Sequence, residues 1–337
     1  MSHVYRIRRG EGVASLRLDK AEDLPLRPDE VRIRMHAVSL NYRDLLVAKG
    51  QIGAGDVRIP ASDGAGEVIE VGSAVTRVSQ GDRVIPIFFP EWLDGAPDDA
   101  ALSESLGGNV DGVLAERFVA KESALVHAPQ SLTWAEASTL ACAGVTAWQA
   151  LFGTGPWHEG EHVLIQGTGG VSTWALQLAV AAGLRPTVLS SSDEKLERAK
   201  ALGAVHTINY VDEPDWDARV QALTGGAHRV LDIGGGDTIG RAIASTRPDG
   251  RVVTIGGVSG GFALSIDPFA LIGGRSLAGV VVGSRAMTEA LVALVDQRAI
   301  RPIIDSVTPF HHAPAAFARL ESARPFGKVV VGMTEQP

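Results

Sequence analysis

Cysteine, aromatic residues and charge are all scarce in this sequence. Among 337 residues there is one cysteine, Cys142, while aromatic residues make up 5% and charged residues 21%. A single cysteine excludes an internal disulfide, and it excludes an all-cysteine metal site within one chain. Neither a disulfide framework nor a zinc ribbon can therefore organise the fold.

Long apolar runs and an excess of positive charge are also missing. No segment approaches the roughly 18 apolar residues that a membrane helix needs, and the polar N terminus has no apolar run behind it. The formal net charge is -8 and the pI is near 5.6. Such a chain has no basic field for a nucleic-acid backbone. We expect a cytoplasmic protein that binds neither membranes nor nucleic acid.

What the sequence does contain is 45% apolar residues, in a chain long enough for two packed domains. Residues 1–125 alternate short β-rich segments with Gly, Pro and Asp, which is typical of a barrel-like β domain. Within them, residues 41–49 predict a short helix, and the Gly-, Pro- and Asp-rich residues 90–109 predict a long surface loop.

After residue 132 the pattern changes to apolar strands separated by helices. This alternation is typical of a doubly wound parallel sheet, so the fold class is α/β. Residues 301–333 return to strand, helix and strand, and we expect them to complete the first domain. The predicted strands of the sheet are residues 163–165, 186–189, 206–210, 229–233, 251–255 and 277–282.

A glycine-rich turn carries the clearest functional signal. The segment Gly167-Thr168-Gly169-Gly170-Val171-Ser172 follows a strand and opens a helix, which is the context of a dinucleotide-binding fingerprint. Gly167 permits a tight turn, Gly169 lets backbone amides approach a pyrophosphate, and the helix N-terminus adds positive charge. Ser172 replaces the third glycine and is small enough for close packing. A glycine-rich turn that binds nothing is the alternative, and the register of six positions favours binding.

The next strand indicates which dinucleotide binds. An NAD-specific enzyme would place Asp or Glu at its end, whereas this strand ends in Ser190-Ser191-Ser192. Hydroxyl groups tolerate a 2′-phosphate, and Lys195 can supply charge, so NADPH is the expected cofactor. The same residues also match a capping box of Ser191 with Glu194, and both roles are compatible.

A set of short motifs resembles one family, the zinc-independent branch of the medium-chain dehydrogenase/reductase superfamily, which includes quinone oxidoreductases. The motifs are Asn41-Tyr42-Arg43-Asp44, Asp63-Gly64-Ala65-Gly66, Gly81-Asp82-Arg83-Val84, Gly144-Val145-Thr146-Ala147-Trp148, the Gly167 turn, Ala201-Leu202-Gly203-Ala204 and Gly327-Lys328-Val329-Val330.

The resemblance implies a GroES-like β barrel, residues 1–125 and 302–337, around a Rossmann domain, residues 126–301, with the active site in the cleft between them. It also implies that Thr146, Lys195 and Tyr210 bind the cofactor, and that Gly256, Gly257 and Val258 line the nicotinamide side. Homodimers through the last strand of the Rossmann sheet, residues 277–282, are common in the family and are expected.

In zinc alcohol dehydrogenases of the same superfamily, Cys, His and Cys surround a catalytic metal. Alignment of the flanking motifs places Asn41, Ser62 and Cys142 at these three positions. One surviving ligand does not hold Zn²⁺, which needs three protein ligands and water. We expect no metal, and we expect Cys142 to be a small buried residue.

Without a Lewis acid, the acceptors that remain easy to reduce are quinones and α,β-unsaturated carbonyls, because negative charge delocalises onto oxygen. Asn41 and Tyr42 are the predicted catalytic residues, although Asn41 can also form a turn and Tyr42 can be a surface aromatic. Enoyl-thioester reductases place a proton-donating tyrosine where this chain has Ile52, which counts against that branch. Phe88, Phe89, Trp92 and Leu93 favour a small hydrophobic acceptor, or else pack their loop onto the barrel.

The predicted function is thus metal-free, NADPH-dependent hydride transfer to a quinone or enone. An alcohol dehydrogenase or carbonyl reductase of the same superfamily, and a non-catalytic dinucleotide-binding protein, are the alternatives.

Overall fold

The computed structural model describes residues 1–259, 263 and 266–333. The strands are β1 (Ser2–Arg8), β2 (Arg17–Ala21), β3 (Glu30–Leu40), β4 (Val57–Arg58), β5 (Asp63–Val71), β6 (Arg83–Pro86), β7 (Arg117–Lys121), β8 (Leu125–His127), β9 (His162–Gln166), β10 (Arg185–Ser190), β11 (His206–Asn209), β12 (Ala227–Asp232), β13 (Thr246–Thr254), β14 (Ser276–Gly279), β15 (Ile304–Pro309) and β16 (Lys328–Gly332).

The helices are α1 (Tyr42–Ala48), α2 (Asp99–Ser103), α3 (Trp134–Ala137), α4 (Val145–Trp148), α5 (Gly170–Ala181), α6 (Asp193–Ala201), α7 (Trp216–Thr224), α8 (Gly236–Ala244), α9 (Arg285–Arg298) and α10 (Ala313–Glu321). Two π-helical turns, Leu140–Gly144 and Gln149–Gly153, flank α4. Within the described part of the chain, no helix has the length and apolar character needed to cross a membrane.

The chain forms two compact units, Met1–Val145 with Val282–Pro337 and Thr146–Val281. The sequence predicted boundaries after residues 125 and 301, so residues 126–145 and 282–301 lie in the first unit instead of the second. The reason is local packing, because α3 contacts β3 and β5 while α9 contacts β8. These contacts hold both segments against the β-rich unit.

The first unit contains a mainly antiparallel sheet of seven strands. Its order is β15-β16-β3-β5-β6-β8, with β7 also paired to β3, and a smaller sheet has the order β2-β1-β4. Strands β16 and β3 are antiparallel, with Val329 opposite Leu40. This register places the beginning of β16 beside the beginning of α1. A shared apolar core, which includes Ile33, Leu125 and Phe317, lies between the sheets and α10.

The second unit is a six-stranded parallel sheet in the order β11-β10-β9-β12-β13-β14. Its core strands are apolar, and Leu164 and Val230 are fully buried because helices cover both faces. The strand order reverses between β9 and β12. In sheets of this kind, ligands bind outside the carboxyl ends of the strands at that point. The predicted α/β fold, a GroES-like domain with a Rossmann sheet, is confirmed.

The predicted helix at residues 41–49 is α1, but the predicted loop at residues 90–109 is not irregular throughout. Asp98 accepts a 2.8 Å hydrogen bond from the Ala101 amide and begins α2. Trp92 is 1% exposed, and its indole nitrogen donates to the Gly95 carbonyl at 3.0 Å. A buried anchor and an N-cap therefore order a segment whose composition suggested only a loop.

Candidate functional site

The Gly167 turn lies at the switch point of the parallel sheet. Gly167 has φ +73°, and a Cβ atom there would lie 2.9 Å from Cδ1 of Ile233, so glycine is needed for both conformation and space. Gly169 differs, because a Cβ atom at that position would meet no heavy atom within 4 Å. Gly169 immediately precedes α5, so this open space lies at the N-terminus of the helix. A pyrophosphate can therefore approach the backbone amides there.

The predicted nicotinamide segment lies beside this turn. The Val258 amide donates to the Ile233 carbonyl at 3.1 Å, and the Ser259 amide donates to the Gly234 carbonyl at 3.0 Å. Oε1 of Gln166, the last residue of β9, accepts from the amides of both Ile233 and Gly234 at 3.3 Å. Gly256, Gly257 and Val258 are thus joined, through one loop, to the strand that precedes the Gly167 turn.

The ends of β10 and β11 form the adjoining part of the same edge. Ser190 is buried, Ser191 is exposed, and the Tyr210 amide donates to the Ser190 carbonyl at 3.1 Å. Tyr210 is 43% exposed. Ser191, Ser192, Lys195 and Tyr210 therefore all lie at or just after the carboxyl ends of β10 and β11.

The capping prediction for this segment is wrong by one residue. Ser192, not Ser191, is the N-cap of α6, and its Oγ accepts from the Lys195 amide at 3.4 Å. The exposed Ser191 is left outside the helix. Thr146, the remaining predicted cofactor residue, is buried in α4, and its side chain makes no hydrogen bond within the described ranges.

A cluster of buried polar side chains lies in the first unit, at the junction of β3, α1, β5 and β16. Lys328 is 2% exposed, and its Nζ donates to the Leu40 carbonyl at 2.7 Å and to Oδ1 of Asn41 at 2.5 Å. Asn41 is 9% exposed and precedes the first residue of α1. Both residues occupy their places because of the β16–β3 register.

Asp63 joins this cluster to the π-helical turn that carries Cys142. Oδ1 of Asp63 accepts from Oγ of Ser62 at 2.6 Å, and Oδ2 accepts from the Cys142 amide at 3.1 Å. Burial raises the pKa of the Asp63 carboxyl, and the Lys328 ammonium opposes that rise. Cys142 is partly exposed instead of fully buried, yet its thiol is surrounded by protein, and desolvation raises its pKa. This cysteine is therefore a thiol and not a reactive thiolate.

A second buried carboxyl, that of Asp44, lies in the first turn of α1. Its Oδ2 accepts a 2.8 Å hydrogen bond from the backbone N–H of Asn41, and the Asp44 residue is 1% exposed. Burial raises the pKa of Asp44 to about 6, although the Arg43 guanidinium opposes the rise. The Asn41 backbone is thus held by one carboxyl, while its side chain is held by Lys328.

The two predicted catalytic residues have different surroundings. Asn41 lies in the buried cluster, whereas Tyr42 is 41% exposed and contributes no hydrogen bond to the cluster among the residues described. The aromatic residues of the 90–109 region and its approach, Phe88, Phe89 and Trp92, are at most 5% exposed. These side chains pack inside the first unit and offer no surface to a substrate. Of the two roles that the sequence allowed, the structure therefore favours packing of the loop.

The residues at the three aligned metal-ligand positions do not fit a zinc ion. Asn41 offers an amide oxygen that already accepts from an ammonium group, and Ser62 offers a hydroxyl that donates to Asp63. Zn²⁺ in proteins takes thiolate, imidazole or carboxylate ligands in tetrahedral sets. No group of three or more His, Cys, Asp or Glu side chains suited to a metal occurs in the described part of the chain.

Sequence reasoning gave no role to Lys328 or Asp63, although both stand in motifs that carried the resemblance. The available signal was a charge at the edge of an apolar strand, Lys328 before three valines. Such a residue is buried only when it has partners. Its partners lie almost three hundred residues away and no local pattern identifies them.

One unit has a glycine-rich turn at the switch point of a parallel sheet, and the other has a buried polar cluster. Together these features define the class of the chain as an oxidoreductase that uses a nicotinamide cofactor. Comparisons agree with this class. The alcohol dehydrogenase GroES-like domain family matches residues 27–130, and the zinc-binding dehydrogenase family matches residues 170–297. The chain belongs to the medium-chain dehydrogenase/reductase superfamily.

Individual relatives cover nearly the whole chain. A zinc-type alcohol dehydrogenase-like protein of Schizosaccharomyces pombe is 43% identical over 91% of both chains. A Sinorhizobium meliloti 1021 crystal structure assigned as an alcohol dehydrogenase is 43% identical, with TM-score 0.91 over 99% of this chain and 100% of the other. The structure of an NAD-dependent alcohol dehydrogenase is 30% identical, with TM-score 0.89 over 99% and 100%.

Proposed function

We propose that the chain is a zinc-independent, NADPH-dependent oxidoreductase of the quinone oxidoreductase type, which transfers hydride to a quinone or an α,β-unsaturated carbonyl compound. One observation carries the proposal: the aligned metal-ligand positions hold an amide and a hydroxyl that are engaged by Lys328 and Asp63. The Ser62 hydroxyl already donates to Asp63, so the Asn41 amide is the group left to stabilise developing charge on oxygen, which suffices for conjugated acceptors.

The proposed roles follow from the chemistry of each group. NADPH, when bound, supplies the hydride. The amide of Asn41 donates a hydrogen bond to the acceptor oxygen as negative charge develops there, and Tyr42 or water delivers the proton. Gly167, Gly169 and the first turn of α5 hold the pyrophosphate.

The preference for NADPH is supported by the end of β10. No carboxylate ends that strand, and the exposed Ser191 and the partly exposed Lys195 can meet a 2′-phosphate. The nearby carboxylate of Asp193 accepts a 2.9 Å hydrogen bond from the Asn209 amide.

We also propose a cytoplasmic homodimer that forms through β14. This strand is at the edge of the parallel sheet, and the preceding segment exposes 76% of Phe269 and 60% of Ile272. An edge strand with neighbouring exposed apolar side chains favours pairing with a second copy.

A second candidate is an alcohol dehydrogenase or carbonyl reductase, which is favoured by the names of the two 43% identical relatives. The two candidates differ in substrate, because saturated alcohols and ketones do not delocalise charge and need a stronger electrophile than an amide.

The test is steady-state absorbance of NADPH consumption with a panel of quinones and enones, beside saturated ketones, with NADH and chelator controls. The proposal predicts chelator-insensitive oxidation that prefers NADPH and conjugated acceptors. Chelator-sensitive turnover of simple alcohols would support the second candidate. Tight NADPH binding with no turnover at all would indicate a dinucleotide-binding protein without catalysis.

A further inference from the structure

The contact between Lys328 and Asn41 determines which atom of the Asn41 side chain can meet a ligand. A lysine ammonium has three donors and no acceptor, so only the carbonyl oxygen of the Asn41 amide can face it. At this position the buried ammonium, 2.5 Å from Oδ1, decides the orientation.

The nitrogen end of the same amide is left for another partner. Nδ2 of Asn41 is buried and has no close hydrogen-bond partner among the described residues. The Asn41 side-chain amide also faces the Asp63 carboxyl and lowers its pKa by hydrogen bonding. An amide nitrogen carries two hydrogens, so a second N–H is left for a ligand. A buried donor without a partner costs stability, which is offset only if a ligand or water completes it.

The charges around the contact keep the ammonium in place. The carboxyl groups of Asp63 and Asp44 attract the positive charge of Lys328. A guanidinium nitrogen of Arg43 lies 3.7 Å from Oδ1 of Asp44. Because the Leu40 carbonyl also accepts from Lys328, the ammonium is fixed by one backbone and one side-chain acceptor. An ammonium at the amide oxygen polarises the amide and strengthens its N–H donors.

We propose that Lys328 is a positioning residue that makes Asn41 an obligate hydrogen-bond donor, and so restricts the substrate to compounds that develop negative charge on a carbonyl or quinone oxygen. This inference rests on the proposed function. It goes beyond the proposed function because it identifies Nδ2 as the donor atom and Lys328 as the residue that orients it.

The decisive variant is Asn41→Asp, because a carboxylate keeps the contact with Lys328 but cannot donate. Loss of one oxyanion donor lowers kcat about 10²–10³-fold, and we expect this loss with NADPH affinity unchanged. If Asn41 instead acts through its oxygen, N41D retains wild-type kcat and the inference is overturned. The variant tests the inference even if substitutions of Lys328 do not fold.

Variants of Lys328 test the positioning role. We expect Lys328→Met to lower kcat 10-fold or more with little change in KM for NADPH, and Lys328→Arg, which keeps charge and donors, to restore most of it. The double variant N41A/K328M should lose no more kcat than N41A alone, because both remove one interaction. Additive losses, or a folded K328M with wild-type kcat, contradict the inference. Lys121→Met, at an exposed ion pair with Glu91, is the matched control.

A measurement without turnover separates this inference from the proposed function. The sequence has three asparagines, Asn41, Asn109 and Asn209, so selective ¹⁵N-asparagine labelling gives three side-chain amide pairs. The pair absent in N41D identifies Asn41. We expect K328M, and not K121M, to shift that pair, and an unshifted pair overturns the Lys328 contact. A wild-type protein inactive on every acceptor, with the shift observed, refutes only the proposed function and its substrate restriction.

Discussion

The hydroxyl of Ser172 donates a 2.7 Å hydrogen bond to the carbonyl oxygen of Gln166, which ties the first turn of α5 to the last residue of β9. Ser172 is 4% exposed and takes the position of the third glycine in the fingerprint. The side chain therefore keeps the close helix-to-strand packing and also satisfies a carbonyl group at the end of the strand. The turn between them, residues 167–171, is held at both ends.

Two glycines of this turn are expected to respond differently to alanine. Gly169→Ala should leave the free energy of unfolding within about 1 kcal/mol of wild type, because the added methyl meets nothing, but should weaken NADPH binding 10-fold or more. Gly167→Ala should lower stability by about 1–3 kcal/mol through its positive φ and the Ile233 contact. Denaturant unfolding and cofactor titration measure the two effects. Equal NADPH affinity in G169A and wild type would remove the backbone of Gly169 from the site.

Lys195 is expected to distinguish the two dinucleotides. Lys195→Met should raise KM for NADPH about 10-fold, the value of one charge-assisted hydrogen bond, and leave KM for NADH unchanged. Lys200→Met, on the same helix at an exposed ion pair with Glu197, is the matched control. Equal effects of K195M on both cofactors would argue against a 2′-phosphate contact.

Tyr42 is expected to matter for proton delivery and not for stability. Because 41% of the residue is exposed, Tyr42→Phe should leave the unfolding midpoint unchanged. If Tyr42 delivers the proton, kcat falls about 10²-fold or more, in the range of general acid catalysis. The comparison of kcat and melting temperature checks this, and full turnover in Y42F would assign the proton to water.

Asp44 is expected to make stability depend on pH below neutrality. Its pKa rises from 3.8 to about 6 on folding, so the native state binds the extra proton between these values and this contribution to stability falls as pH rises from about 4 to about 6. The full difference is about 3 kcal/mol. Arg43, Asp63 and Lys328 act on this carboxyl. Asp44→Asn removes its titration and its ion pair with Arg43, and keeps a side-chain oxygen for the backbone amide of Asn41.

The quantity to compare at each pH is therefore the difference in free energy of unfolding between wild type and D44N. The stability of wild type relative to D44N should be highest near pH 4 and decrease towards pH 7, measured by urea unfolding. A difference that is independent of pH would show that folding leaves the Asp44 pKa unchanged, and one that increases towards pH 7 would show that folding lowers it.

The edge next to β14 is expected to control the oligomeric state. Phe269→Asp should convert a homodimer to a monomer in light scattering at micromolar concentration, because a charge would be buried in the interface. Val211→Asp, at another exposed apolar residue of the same unit, should not. A wild-type monomer would refute the proposed dimer.

Much of the second unit was predictable because its signals are local. The six strands and the Gly167 turn follow from apolar runs and glycine spacing, which depend on neighbouring residues. The cap of α6 was placed one residue early because Ser191 and Ser192 both satisfy the pattern, and only the backbone conformation decides between them.

The first unit was less predictable for a physical reason. Asn41 was identified from its motif, but its orientation depends on Lys328, and the strand register that joins them is a tertiary property. The 90–109 segment shows the same limit, because burial of Trp92 orders a stretch whose composition is that of a loop. Contacts between distant segments decide such features, and local patterns do not contain them.

The pairing of β16 with β3 also has a consequence for biosynthesis. A ribosome makes Asn41 early and Lys328 late, and 287 positions separate the two residues. Until β16 emerges, β3 lacks one neighbour and the Asn41 side chain lacks its contact with Lys328, so a chain truncated before β16 has the parallel sheet without the ammonium that orients the amide. Domains made of one continuous segment fold in the order of their synthesis. The first unit consists of two segments separated by the second unit, so it cannot be completed before the second unit has been synthesised. The polar cluster around Asn41 is then completed only after β16 has been synthesised.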